Sequence, residues 1–363
     1  MTTRIILVAC LAGLLGGSAG DTARADGMYV APWGYEIYEP AQLAFIRYDA
    51  GAGTEELSIM PKFHGDPTDF AWVVPIPALP EVSEADPQLF GDLAELSRPA
   101  YRSRDSFWSC EEEYDTADLV APGGRDGVEI IDEDVVGIYR TMTLGADDAT
   151  ALLDSLTVWG FLHEGNRDEV EPMIQSYVDR DYYFVTMEVD SASVANWYWG
   201  YGKDGPRPAG KSVAPYYYYP SLQPITFGFA SDDIVYPLRI SAVSAYETSS
   251  VILYVAADHR MTFDGASTGY ANRVTAGELS ALRDAYPAAG HQLRAGDFLT
   301  KLQRRYTPRE MDADIVLRRA EDDAEYLAVH YSGWPLWSLV FASGTAGWMI
   351  WRRFRRRPVT RAS

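Results

Sequence analysis

The chain has 363 residues, 47% hydrophobic and 13% aromatic, with two cysteines and a formal net charge of −21. That balance excludes a disordered acidic tail, a disulfide-stapled mini-domain, a collagen-like repeat and a basic nucleic-acid binder, so no nucleic-acid partner is expected. Residues 1–25 carry +1 and residues 352–363 carry +6, which leaves −28 on residues 26–333.

Taken in chain order, the N-terminus has one arginine, Arg4, an apolar run from Ile5 to Leu15, and then small residues. Ala23 and Ala25 flank Arg24 in a small-x-small cleavage pattern, so residues 1–25 read as a signal peptide with Asp26 as the mature N-terminus. The run is too short to span a bilayer core. After cleavage only Cys110 remains, and no intramolecular disulfide is available to the body.

The segments AQLAFIRYD, TEELSIMPKF and DFAWVVPIP predict a small antiparallel sheet. The third is apolar on both faces, as a covered strand is, and Pro75, Pro77 and Pro80 end its pairing at a sheet edge. Asp86 and Pro87 open a short helix carrying Leu89, Phe90, Leu93 and Leu96 on one face. Strand, helix, helix and strand follow between residues 128 and 190, the helices marked by Leu152, Leu153, Leu156 and Trp159, then by Met173, Ile174, Tyr177 and Val178.

Residues 191–220 break this pattern with Trp197, Tyr198, Trp199 and Tyr201, and then Tyr216, Tyr217, Tyr218 and Tyr219. Consecutive aromatics on a strand point to both faces, so exposed rings suited to glycan stacking or protein anchoring are expected, against the alternative that they pack back on the body. QPITFGFAS, IVYPLRISAVS and SVILYVAADHRM read as three consecutive antiparallel strands. Thr275 with Glu278, and Thr307 with Glu310 beside Pro308, have the spacing of capping boxes. The expected body, residues 26–333, is α+β with antiparallel sheets and helices packed to one side, divisible at 191–220 into parts 26–190 and 221–333.

Residues 334–351 contain no charge, and as a helix they would be about 27 Å long against a hydrocarbon core of roughly 30 Å. Trp334, Trp337, Trp348 and Trp351 mark its ends, and Arg352 and Arg353 open a basic tail, residues 352–363. This predicts a transmembrane helix with the tail inside and the body outside the plasma membrane. A sorting tail removed by an intramembrane protease has the same form.

DFAWVVPIPALPEV at 69–82, ADDATALLDSLTVWGF at 146–161, YVDRDYYFVTMEV at 177–189, IVYPLRISAVSA and VILYVAADHRM within 234–261, and FLTKLQRRYTPREMDADI at 298–315 resemble, in order, the bacterial family catalogued as domain of unknown function 2330. The resemblance implies a secreted or membrane-anchored protein without an assigned activity. Many members carry a Cys-Gly-Gly-type motif at the mature N-terminus, where this chain reads DGMYVAPWGYEIYEP.

Catalytic signatures are sparse. Gly265-Ala266-Ser267-Thr268-Gly269 has the spacing of a nucleophile elbow, with Asp284 and His291 or His330 following in hydrolase order, but the motif requires a strand before Ser267 and a helix after it. His64 with Asp66 and Asp69, His163 with Glu164, and Asp258 with His259 are the close histidine–carboxylate groups, and none matches a zinc motif. No cofactor or metal is predicted. The sequence points to a non-enzymatic envelope module that meets a protein or glycan through its aromatic stretch; the alternative is an extracytoplasmic hydrolase, metal-assisted or built on Ser267.

Overall fold

The computed structural model describes residues 28–30, 37–38, 41–62, 64–65, 71–103, 130–145, 149–159, 162, 167–189, 221–245 and 248–332. Alternation along the strands builds two facing sheets. The smaller has five strands in the order β1 (Met28–Val30), β6 (Ala71–Ile76), β11 (Tyr183–Val189), β10 (Tyr139–Leu144) and β9 (Ile130–Val136). The larger has eight, in the order β19 (Tyr326–Leu327), β16 (Ser267–Arg273), β17 (Phe298–Tyr306), β14 (Ser249–Ala257), β3 (Ala41–Asp49), β4 (Thr54–Ile59), β12 (Ile225–Ala230) and β7 (Glu81–Glu84). A three-stranded sheet of β13 (Ile234–Tyr236), β18 (Ile315–Arg319) and β15 (Met261–Thr262) lays Ile234, Tyr236, Met261, Ile315 and Leu317 on the core between the large sheets. Two small pairs, β2 (Ile37–Tyr38) with β5 (His64–Gly65) and β8 (Ala100–Ser103) with β20 (Val329–Ser332), complete the list of strands.

Each strand sends alternate residues to opposite layers. In β3, Ala44 and Ile46 face the other sheet while Leu43 and Phe45 face outward; in β14, Val251, Leu253 and Val255 face inward while Ile252, Tyr254 and Ala256 face outward. The inner core centres on Trp72, fully buried, whose ring meets Phe227 of the opposite sheet at 6.3 Å and Tyr139 at 6.5 Å. Burying one such aromatic stabilises by roughly 1.5–3 kcal/mol.

The expectation of helices on one side is corrected, because both sheets have an apolar outer face to cover. Helices α2 (Ala149–Val158) and α3 (Arg167–Val178) lay Leu152, Leu153, Leu156, Val170 and Ile174 against Val73, Met142, Leu144 and Phe184 of the five-stranded sheet. Helices α1 (Leu89–Leu96) and α5 (Pro287–Gln292), with part of α4 (Ala276–Ala285), cover Leu43, Phe45, Ile252 and Tyr254 of the eight-stranded sheet. The layers run helix, sheet, sheet, helix. Asp92 of α1 accepts from the backbone N–H groups of Ala288 (2.8 Å) and Ala289 (3.3 Å), capping α5 and locking two outer helices together.

The pairing is mainly antiparallel, but β14 runs parallel to β3 and β20 parallel to β8. The first three expected strands divide: β3 and β4 form a hairpin, whereas β6 joins the other sheet between β1 and β11. β1 covers only Ala71 to Val73, so Pro75 lies where β6 is open on that flank. The three consecutive strands expected after residue 222 also separate, since β12 pairs with β4 and β7, β13 with β18, and β14 with β17 and β3. Pro237 follows β13, and a 3-10 helix over Arg239–Val243 takes the place of further strand. Strands from before and after residues 191–220 interleave in the large sheet.

Among the described residues no helix is long and apolar enough to cross a membrane. The segments expected as signal peptide (1–25) and transmembrane helix (334–351) lie outside the described residues, as do Ala23, Ala25, Trp334, Trp337, Trp348, Trp351, Arg352 and Arg353.

Candidate functional site

The aromatic residues Trp197, Tyr198, Trp199, Tyr201 and Tyr216 to Tyr219 lie outside the described residues, but both stems of their segment are described. One stem is Val189, the last residue of β11, which pairs with Tyr139 on β10. The other is Ser221 to Ile225, where Leu222 is buried and donates its N–H to the Pro61 carbonyl at 2.9 Å. Tyr139 links them. Its hydroxyl donates to the Gln223 carbonyl at 2.5 Å, and burial pushes its pKa well above the ordinary phenol range.

Gln223 in turn donates its Nε2 to Glu84 of β7 at 2.7 Å. Gly137, in the tight turn between β9 and β10, has φ +59°, and a Cβ there would meet Gln223 Oε1 at 2.5 Å. This position requires glycine for both backbone and space. The segment from 190 to 220 therefore leaves and re-enters the body at one place, on a foundation of buried groups.

A second polar region lies beside α3, at the helix-covered side of the five-stranded sheet. Asp314 accepts from Tyr177 Oη at 2.5 Å, the Arg239 N–H at 3.1 Å and Arg180 Nη1 at 3.0 Å, and its side chain is 4% exposed. The Arg180 guanidinium also lies over the rings of Tyr177 (4.6 Å) and Tyr182 (4.4 Å). Tyr177, raised by burial first and then by Asp314, accepts the Ile240 N–H at 3.1 Å. The network ties α3, the 3-10 helix at 239–243 and the start of β18.

Glu55 is its opposite. It is fully buried, one carboxyl oxygen accepts the Val235 N–H at 3.0 Å, and the other has no hydrogen-bond partner among the described residues. Burial holds its pKa well above the usual carboxylate range. Sequence reasoning passed over Glu55, although a signal was present: it shares the inward alternation of Leu57 and Ile59.

A third cluster fastens the end of the body. Asp323 accepts from His259 Nδ1 at 2.8 Å, the Arg260 N–H at 3.0 Å and Arg273 Nη2 at 3.1 Å. The His259 contact lowers the Asp323 pKa most. His259 thus bonds a carboxylate 64 residues away, whereas the sequence pairs it with Asp258. His291 bonds its own helix carbonyl at Pro287 (2.5 Å).

The context that a nucleophile elbow requires is not found around Ser267. Ser267 opens the strand β16 and its hydroxyl donates to the Gln303 carbonyl at 2.9 Å, so no helix follows it and its proton is engaged by backbone. Among the described residues no group of three or more histidine, cysteine, aspartate or glutamate side chains is arranged to hold a metal ion.

The fold defines a mixed α+β protein whose sheets are mainly antiparallel and whose helices are few. A family model, DUF2330, described as an uncharacterized protein conserved in bacteria, matches residues 21–201 and 217–318. The chain belongs to that family. No curated protein matches it. Among solved structures, the crystal structure of baculovirus P35 aligns with 82% of this chain and 98% of its own at 10% identity, with a TM-score of 0.33, a likeness that carries no argument about fold or activity.

Proposed function

We propose that this protein is a non-enzymatic binding module of the bacterial envelope, exported by its N-terminal signal, held in the plasma membrane by residues 334–351, and contacting an envelope protein or glycan through the aromatic segment 197–219. The observation that carries the reading is the shared stem: Tyr139, Gln223 and Leu222 hold both ends of that segment at one buried point. A rigid base lowers the entropy lost when a loop binds.

The test uses the mature chain from Asp26, bound to isolated cell-wall sacculi and, separately, cross-linked in intact cells. Replacing Trp197, Trp199, Tyr217 and Tyr218 by serine is expected to weaken binding in one arm by about tenfold or more. Unchanged binding in both arms, with an unchanged melting profile, contradicts the proposal.

A further inference from the structure

Two opposite edges of the eight-stranded sheet both carry exposed carboxylates, Glu81 and Glu84 at β7 and Glu321, Asp322 and Glu325 beside β19, but differ in their exposed apolar side chains. At one edge lies β7, with Glu81 and Glu84 exposed, and β9 of the other sheet lies against it, with Asp132, Glu133 and Asp134 exposed. The stems of the aromatic segment join this edge through the Gln223–Glu84 hydrogen bond and the Ala85 N–H to Pro224 carbonyl bond of 3.1 Å.

At the other edge lies β19. Among the described residues Leu79, Val135, Val158 and Val316 are large apolar side chains exposed singly in sequence, whereas Tyr326 (45% exposed), Leu327 (45%) and Val329 (37%) fall within one short stretch. Among the described residues β19 is paired on one flank only. Asp323 and its three donors hold the turn that delivers it. Val329 is five residues from Trp334, the start of the uncharged segment, a reach of at most about 17 Å.

We infer that the edge formed by Tyr326, Leu327 and Val329 rests in the interfacial zone of the lipid bilayer, so that the body stands on this edge and holds the stems of the aromatic segment at the far side. The inference rests on the anchoring proposed above and adds an orientation to it. A tether this short raises the effective concentration of lipid at the patch, so a few half-exposed apolar side chains suffice. Tyrosine suits the headgroup level, with an apolar ring and a polar tip. Seven strand spacings separate β19 from β7, roughly 33 Å before sheet twist. The body is thus a spacer as well as a base.

The experiment places a fluorophore on Leu327→Cys or Val135→Cys, each in a Cys110→Ser background, in the mature full chain reconstituted into phosphatidylcholine–phosphatidylglycerol vesicles. Quenchers are spin-labelled lipids at headgroup depth and aqueous iodide. The Leu327 label is expected to be quenched by the lipid probe and shielded from iodide, the Val135 label the reverse; adding Tyr326→Ser and Val329→Ser should reduce the lipid quenching at position 327. Retention of the protein through an alkaline wash with both labels quenched alike overturns the orientation and leaves the anchor standing. Release of the protein by that wash overturns the anchor, and the orientation with it.

Discussion

The body has two described places where the chain leaves toward a segment given a role in the proposal, and they are fastened by different chemistry. The stems of the aromatic segment are held by buried groups, Tyr139 and Leu222 being each 1% exposed. The final strands, β19 and β20, follow a turn held at Asp323, whose side chain is 25% exposed, by a hydrogen bond with His259 and an ion pair with Arg273. Buried neutral hydrogen bonds are insensitive to salt, whereas exposed ion pairs are screened by it. The difference teaches that the segment proposed to bind leaves from a buried base, whereas the terminal edge is fastened by partly exposed groups that salt can reach.

The strongest way to break this comparison is Tyr139→Ala. It removes a core ring tilted against Trp72 and the hydroxyl that joins the two stems, and denaturant unfolding should show a loss of about 3–5 kcal/mol. Glu55→Gln tests whether buried polar groups stabilise only when partnered. The amide keeps an acceptor for the Val235 N–H and carries no proton to lose, so a gain of about 1–3 kcal/mol near neutral pH is expected.

The sign follows from the raised pKa of Glu55. The stability it contributes is complete below the ordinary value of 4.5 and is lost as pH rises toward the folded value, because the unfolded chain ionises first. Wild type and Glu55→Gln should therefore converge in acid and separate toward neutrality, and parallel pH profiles would contradict the assignment. Gly137→Ala is a smaller change, about 1–2 kcal/mol, from a strained φ and a side chain driven into Gln223. Asp323→Asn should leave the melting profile nearly unmoved while abolishing the salt dependence of exchange at β19.

Much of the fold was legible locally. Alternation located β3 and β4, continuous apolarity marked β6 as covered, and both capping boxes form, at Thr275 over α4 and at Thr307 over a three-residue 3-10 helix. What escaped was partnership. Alternation states which residues share a face but not which strand lies beside them, so the parallel β3–β14 pair and the placement of β6 beside β11 could not be read. Helices on both outer sides have the same cause: the outward stripe of Leu43 and Phe45 is visible only once the inner face is assigned. The candidate sites follow suit, because His259 with Asp323 and Tyr177 with Asp314 are joined across 64 and 137 residues.

Site-resolved hydrogen exchange on the mature chain, comparing wild type with Asp323→Asn at low and high salt, tests the contrast between the two exits most directly. The account predicts that the Leu222 amide, bonded to Pro61, keeps its protection throughout, while the Ala328 amide, bonded to Gly269, loses protection in high salt and in Asp323→Asn. Equal loss at both amides, or loss at Leu222 alone, would contradict it.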